Sequence, residues 1–340
     1  MLPHNMTWMR YPSLSKDPST NFEEIIFAQQ VISRFMHAYI GVFVPTGLLA
    51  GVVILGICIQ NYRNHVLGKF DALFCSQTLV NLFIVFVSLT IAVRPAYLQT
   101  SYLGCGTLSF FFNLGYFSSQ LLLLLLILSL FLARHPPQNP LIGKAHRSPA
   151  VCVGFVLMCS FCAALILSAL LGIEHYQGET DCQLDPLFAW PEYEIIKFAL
   201  GFCAPSLAEL LLGILAFVKK APAGRYSSGK NGQPLWAVLA MAASMLSCRL
   251  FYNVLILART VLKIKGEAGT VRNELTMNIS EVVLFCEGCG SLVILLFLHR
   301  PYRTTLLNTL KNLTRRCTRG RHARQGLDIQ DNQTGLSEMR

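Results

Sequence analysis

Seven stretches of mostly apolar residues, at roughly 36–60, 72–94, 104–133, 150–172, 194–218, 234–262 and 276–299, alternate with short polar segments along the chain. Each is long enough for a bilayer-spanning helix, which needs about 20 residues. Pro45 and Pro205 fall inside spans, where neighbouring helices re-satisfy the backbone groups that a proline frees. The third stretch says most about arrangement. It opens with Gly104-Cys105-Gly106, runs through Phe110, Phe111 and Phe112, and then carries Asn113, Ser118, Ser119 and Gln120 ahead of six leucines, Leu121 to Leu126. It closes with Ala133-Arg134-His135-Pro136-Pro137, and no charged residue lies between Thr107 and Ala133. Its polar band would be costly against lipid, so this span is expected in the middle of a bundle with the band turned inward.

The pattern predicts an all-α membrane protein, a seven-transmembrane helix bundle over residues 35–300 behind a polar segment over 1–34. Residues 1–24 lack the apolar core of a cleaved signal. Over 301–316, Tyr302, Leu306, Leu307, Leu310 and Leu313 recur among Lys and Arg, which predicts a short amphipathic eighth helix lying on the membrane. The tail over 317–340 is expected to be disordered.

Composition agrees. Of 340 residues, 53% are hydrophobic and only 14% charged, against about 25% charged in a typical soluble domain. The net charge of +10 is no sign of nucleic-acid binding, because it is segregated into alternate linkers. Arg63 and Lys69 follow span one; Arg134, Lys144 and Arg147 follow span three; Lys219, Lys220, Arg225 and Lys230 follow span five. The segment after span four instead holds Glu174, Glu179, Asp181, Asp185 and Glu192, and the tail adds Arg300, Arg303, Lys311, Arg315, Arg316, Arg319, Arg321 and Arg324. The basic-loop bias then predicts an outside N-terminus and a cytoplasmic tail, as in a multi-pass plasma-membrane protein.

Orientation sorts the remaining chemistry. The sequon at Asn5 faces outward, so Asn5 is expected to be glycosylated, whereas Asn312 and Asn332 face the cytosol. Of twelve cysteines, nine lie in apolar runs as small hydrophobes. Cys105, at the mouth of span three, and Cys182 alone fall near water on the oxidising side and are expected to pair. Cys317, in a basic cytoplasmic stretch, is either a palmitoylation site or a free thiol. The histidines sit at span edges and in loops without clustering, so neither an enzyme nor a metal or other cofactor is expected.

Seven spans, an outside N-terminus and a bridge from the head of span three to the second outer loop resemble the rhodopsin-like (class A) family of G-protein-coupled receptors, over roughly residues 36–316. Gly47-Leu48-Leu49-Ala50-Gly51-Val52-Val53 is similar to GLxGNxxV of the family's first helix, and Pro205 fits its fifth-helix proline. Ser129-Leu130-Phe131-Leu132-Ala133 stands at DRYLA, Cys248-Arg249-Leu250-Phe251-Tyr252 at CWxPY, and Ser291 to Leu295 at NPxxY. Phe297-Leu298-His299-Arg300-Pro301-Tyr302-Arg303 resembles the FLNRxFR that opens the eighth helix.

The resemblance implies an orphan-type receptor whose partners are an unknown extracellular ligand, a heterotrimeric G protein or arrestin, and membrane lipid. Its switch positions are degenerate: Asn81 replaces an aspartate, Leu130 the arginine that contacts the G protein, Arg249 the tryptophan toggle and Leu295 a tyrosine. Weak or non-standard coupling follows, with a decoy or modulatory seven-helix protein as the nearest variant. By analogy the outer pocket is lined by Phe112, Asn113, Tyr116, Lys197, Asn253, Leu257, Glu281 and Phe285. Phe112 stands where monoamine receptors keep an aspartate and Phe285 where opsins keep the retinal lysine, which argues against both ligand classes. Glu281 suits a cationic ligand group, Lys197 and Arg259 an anionic one.

Glu209, Arg249, Glu281 and Glu287 are ionisable residues in or at the edge of spans, each costing roughly 3 kcal/mol in lipid if unpartnered. Arg249 and Glu287 are expected at facing depths and predicted to pair, either as a structural pin or as a lock that opens on a conformational change. Alternatively Glu287 supplies a sodium site with Ser119. A transporter using Glu209, Arg249 and Glu287 as a polar path is the rival from another class; the absence of an internal repeat and of Gly/Pro-broken helices in matching halves argues against it.

Overall fold

A computed structural model describes residues 22–92, 102–135, 148–171, 189–218, 233–265, 270–309 and 311. Among these residues there is no strand. Seven helices are long and apolar enough to cross a membrane: span one Glu23–Arg63, span two Lys69–Thr90, span three Gly106–Arg134, span four Pro149–Ala169, span five Pro191–Leu215, span six Leu235–Ile264 and span seven Val271–Leu298. Span three touches spans two, four, five and six, while span seven packs on one, two and six and closes the ring. The polar band of span three does face inward: Asn113, Ser118, Ser119 and Gln120 are all buried. Spans four and five are the least enclosed, so their outer faces meet lipid.

Span one begins far ahead of its continuous apolar run. Helix Phe22–Ala38 precedes it, so the boundary expected at residue 34 falls inside a helix. Its signal is period rather than apolarity. Ile25, Ala28, Ile32, Met36 and Tyr39 are buried at steps of three and four, the stripe of a helix with one covered face. That stripe packs on span seven, and Glu23 and Glu24 stand in the first turn, at the positive end of the helix dipole. At about 1.5 Å per residue the 41-residue span one is ~60 Å long, about twice the ~30 Å hydrocarbon layer.

Spans one and five each contain a wide turn. Val44 N–H bonds back to the Tyr39 carbonyl and Ala204 N–H to the Ala199 carbonyl, closing π turns over Tyr39–Phe43 and Ala199–Cys203. Both have one cause. Pro45 and Pro205 lack an N–H, and each ring crowds the carbonyl four residues back, at Gly41 and Gly201. Opening the turn relieves that clash and lets the helix continue. The two spans thus share a device that the sequence pattern did not suggest, although neither helix is broken.

At the opposite end of the bundle from Phe22, the chain turns at His299 and residues 300–309 are again helical. Tyr302 anchors this segment, its ring edge-on to Phe74 at 6.4 Å and its hydroxyl 3.5 Å from Cys58 Sγ. Burial pushes the Tyr302 hydroxyl pKa above the ordinary tyrosine range. Leu307 is exposed beside half-buried Leu306. Asn5, Cys182 and Cys317 lie outside the described residues, as does the side chain of Cys105, and with them the expected bridge and modifications. Nine span cysteines, Cys58 and Cys289 among them, are free thiols.

Candidate functional site

One stripe of span six runs through three clusters of buried polar and charged side chains. Met245, Arg249, Tyr252, Ile256, Arg259 and Lys263 follow at alternating steps of four and three and therefore share a face, turned toward spans three, five and seven.

Arg249 lies at the centre and is 1% exposed. Its Nε–H donates to both Glu287 oxygens at 3.0 Å, and a terminal nitrogen donates to Glu287 Oε1 at 2.8 Å. That same nitrogen donates to Ser119 Oγ, while the other donates to the Tyr116 carbonyl at 3.0 Å. The guanidinium also lies 4.2 Å from the Tyr116 ring centre, a cation–π contact. One side chain thus ties spans three, six and seven, and the expected Arg249–Glu287 pair is present. Two oppositely charged groups can be kept in so apolar a place because their hydrogen-bonding capacity is largely met within it. The sodium alternative fits poorly, since Arg249 engages both Glu287 oxygens and Ser119.

Above Arg249, toward the Phe22 end, lies an aromatic box around Lys197. Its Nζ donates to the Tyr252 hydroxyl at 2.8 Å. The rings of Tyr252, Tyr116, Tyr193 and Phe112 surround it at 5.2, 5.4, 5.8 and 5.9 Å. Such faces offer a buried ammonium group the negative end of their quadrupoles. Asn113 donates to the Tyr193 hydroxyl at 3.0 Å and Asn253 to the Tyr116 hydroxyl at 3.0 Å. Asn253 also donates to the Arg249 carbonyl at 2.7 Å. The box and the arginine below it therefore share Tyr116 and Asn253. The side-chain oxygens of Asn113 and Asn253 are buried without a hydrogen-bond partner, an arrangement that calls for a water or a ligand donor.

A third cluster fastens spans five and six at the Phe22 end. Glu194, fully buried, accepts from Arg259 at 2.9 Å and from Lys263 and Thr260. Arg259 is thus committed to a carboxylate of its own bundle, which corrects its reading as a ligand anion contact.

Of the residues the sequence nominated for the pocket, Phe112, Asn113, Tyr116, Lys197 and Asn253 meet in or around the box. Phe285 joins through Phe112, ring centres 5.5 Å apart, and packs on Tyr39 from the other side at 5.8 Å. The contacts above do not include Leu257, half-buried on span six, or Glu281, buried in the upper half of span seven. Tyr193, Glu194, Tyr252, Thr260 and Lys263 were not singled out in advance. The usable signal was helical spacing: Tyr193 and Lys197 are four apart, as are Arg259 and Lys263, so each pair shares a face.

The degenerate switch positions lie nearer the Tyr302 end. Asn81, Ser129, Ser291 and Leu295 are buried, Leu130 and Phe131 half-buried. Leu295 itself belongs to an apolar core with Leu123, Leu126, Met241, Met245 and Leu292. Polar chemistry is thus concentrated in the upper and middle bundle.

The fold defines a multi-pass membrane protein with a charged hub inside a seven-helix bundle. No model of a known family matches the chain, and no curated protein matches it either.

Proposed function

We propose that this protein is a divergent seven-helix receptor of the rhodopsin-like type in the plasma membrane, with its N-terminus outside and its tail in the cytosol. The observation that carries this reading is the sharing of Tyr116 and Asn253 between the Lys197 box and the Arg249 hub. A ligand entering from outside and touching the box would move the ring and the amide on which Arg249 rests. Only contacts that differ between two states shift their populations. The Arg249–Glu287 pair then works as the catch that holds span six against spans three and seven, in place of the family's tryptophan toggle. The reading involves no catalytic chemistry.

Leu130, which stands where the family's arginine meets the G protein, makes coupling weak or indirect, so the protein acts as a poorly coupled or modulatory receptor. A nucleotide-exchange screen over a Gα panel, with arrestin recruitment alongside, tests this using wild type, Leu130→Arg, and Leu130→Arg combined with Arg249→Met/Glu287→Gln. Basal signal is expected to be low in wild type, to appear with Leu130→Arg and to rise further once the catch is removed. Silence of all three at equal surface expression overturns the receptor reading.

A further inference from the structure

Spans one and two are joined by a short turn at residues 64–68 and pack side by side, running antiparallel. One contact sets their register: a Cβ added at Gly51 would lie 2.6 Å from the Leu82 side chain, so these positions face each other. Cys58 follows Gly51 by seven residues and Cys75 precedes Leu82 by seven. Seven residues make about two helical turns, so the two cysteines also come opposite one another. Cys75 accordingly lies against the core that holds Cys58, and the two thiols are hydrogen-bonded.

The two thiols differ in access. Cys58 is 2% exposed, whereas Cys75 is only half-buried. Cys75 stands six residues from Lys69, where span two begins, about 9 Å along the helix at ~1.5 Å per residue. It therefore lies near the Tyr302 end of the bundle. Cys58 Sγ has a second partner there, the Tyr302 hydroxyl at 3.5 Å. Tyr302 holds the 300–309 helix to spans two and seven through the rings of Phe74 and His299, at 6.4 and 4.6 Å.

A reachable thiol beside a covered one is the arrangement in which an oxidised cysteine is resolved by its neighbour. Cys286 and Cys289 do not share it, because both belong to one helix, three residues apart. With the tail in the cytosol, the Cys58–Cys75 pair faces a reducing compartment, which keeps it as two thiols until an oxidant arrives.

We propose that Cys58 and Cys75 are a site of reversible oxidation by hydrogen peroxide, closing to a disulfide that releases Tyr302 and loosens the 300–309 helix. Cys75 sulfur attacks one peroxide oxygen and the O–O bond breaks. The departing hydroxide takes the Cys75 proton and leaves as water, with a sulfenic acid on Cys75. Cys58 sulfur then attacks the Cys75 sulfur, the S–O bond breaks, and the second hydroxide takes the Cys58 proton. Two thiols have lost two electrons and two protons, and one peroxide has become two waters. Cys58 is thereby drawn toward Cys75 and away from the Tyr302 hydroxyl. The proposal uses the cytosolic placement of the tail but neither ligand binding nor coupling, so silence in the Gα screen leaves it standing.

Full-length protein in lipid nanodiscs, with thiols blocked at harvest in a parallel sample, tests it by peptide mass spectrometry before and after hydrogen peroxide. The blocked sample is expected to carry label on both cysteines. Peroxide should join the Cys58 and Cys75 peptides in the wild type, and dithiothreitol should part them. Amide hydrogen exchange over residues 300–309 is expected to quicken at least fivefold on oxidation and to return on reduction. In Cys58→Ala, Cys75 should accumulate as a sulfenic acid trapped by dimedone; in Cys75→Ala, peroxide should change neither Cys58 nor the exchange. A bridge already complete in the blocked sample overturns the proposal. So does wild-type Cys75 that stops at the dimedone adduct, or a bridge that forms while exchange over 300–309 stays as it was.

Discussion

Arg249 shows why a buried charge need not be a weakness as long as its partners stay in place. Removing the guanidinium leaves Glu287 charged in an apolar interior with its principal donor gone, and breaking one side of a buried pair typically costs about 3–5 kcal/mol. Arg249→Met is therefore expected to lower the thermal transition in detergent sharply. Arg249→Met/Glu287→Gln should recover most of that loss, because no uncompensated charge remains. A double variant no more stable than the single would mean that the contacts to Ser119 and Tyr116, rather than the ion pair, hold the site together. This pair was legible in the sequence, since an arginine and a glutamate inside apolar spans must find each other or another partner. Lys197 was legible as a pocket residue but its box was not. Phe112, Tyr116, Tyr193 and Tyr252 come from three spans, and helical spacing alone does not tell which aromatic rings converge on one ammonium group.

Among the elements, span five has the most specialised geometry. Its π turn presents Gly201 to Tyr116 so closely that an added Cβ would lie 2.5 Å from the Tyr116 ring. The ring that supports Arg249 and lines the Lys197 box thus rests on a bare patch of helix backbone. Gly201→Ala should push the ring aside, with an overpacking cost of about 1–3 kcal/mol. Gly213→Ala, where nothing stands within 4 Å, should leave thermal stability unchanged or slightly higher, because alanine is the better helix former. Comparing the two variants separates the packing constraint from a general effect of replacing helix glycines. Pro45 and Pro205 were visible as irregularities in the sequence. The resulting wide turns were not, because whether a proline kinks, breaks or widens a helix depends on how the carbonyl four residues back is accommodated.

For the molecule as a whole, the seven spans were legible because a bilayer imposes a length and an apolarity that loops do not share. The central place of span three was legible too, from its polar band. The true start of span one was missed because a search for continuous apolarity passes over Phe22–Ala38, where only one face is covered. Ile25, Ala28, Ile32 and Met36 follow Glu24 and are interrupted by Gln29, Gln30, Ser33 and Arg34, and average out as polar unless they are placed on a helix. The Glu194 clamp was hidden for a related reason, lying at span ends where loop acids and helix acids look alike.

Because span one outreaches the bilayer, the bundle carries a rigid stalk whose far end keeps a fixed spacing from the membrane rather than wandering on a tether. Spin labels at Gln30 and Tyr62, both exposed and both on this helix, should therefore report a narrow interspin distance of about 50 Å at ~1.5 Å per residue. A broad distribution centred well below that value would mean that the stalk bends or unwinds in solution. A stiff stalk would let a push applied near Phe22 travel down span one, past Tyr39, to Phe285 and through it to Phe112 in the wall of the aromatic box.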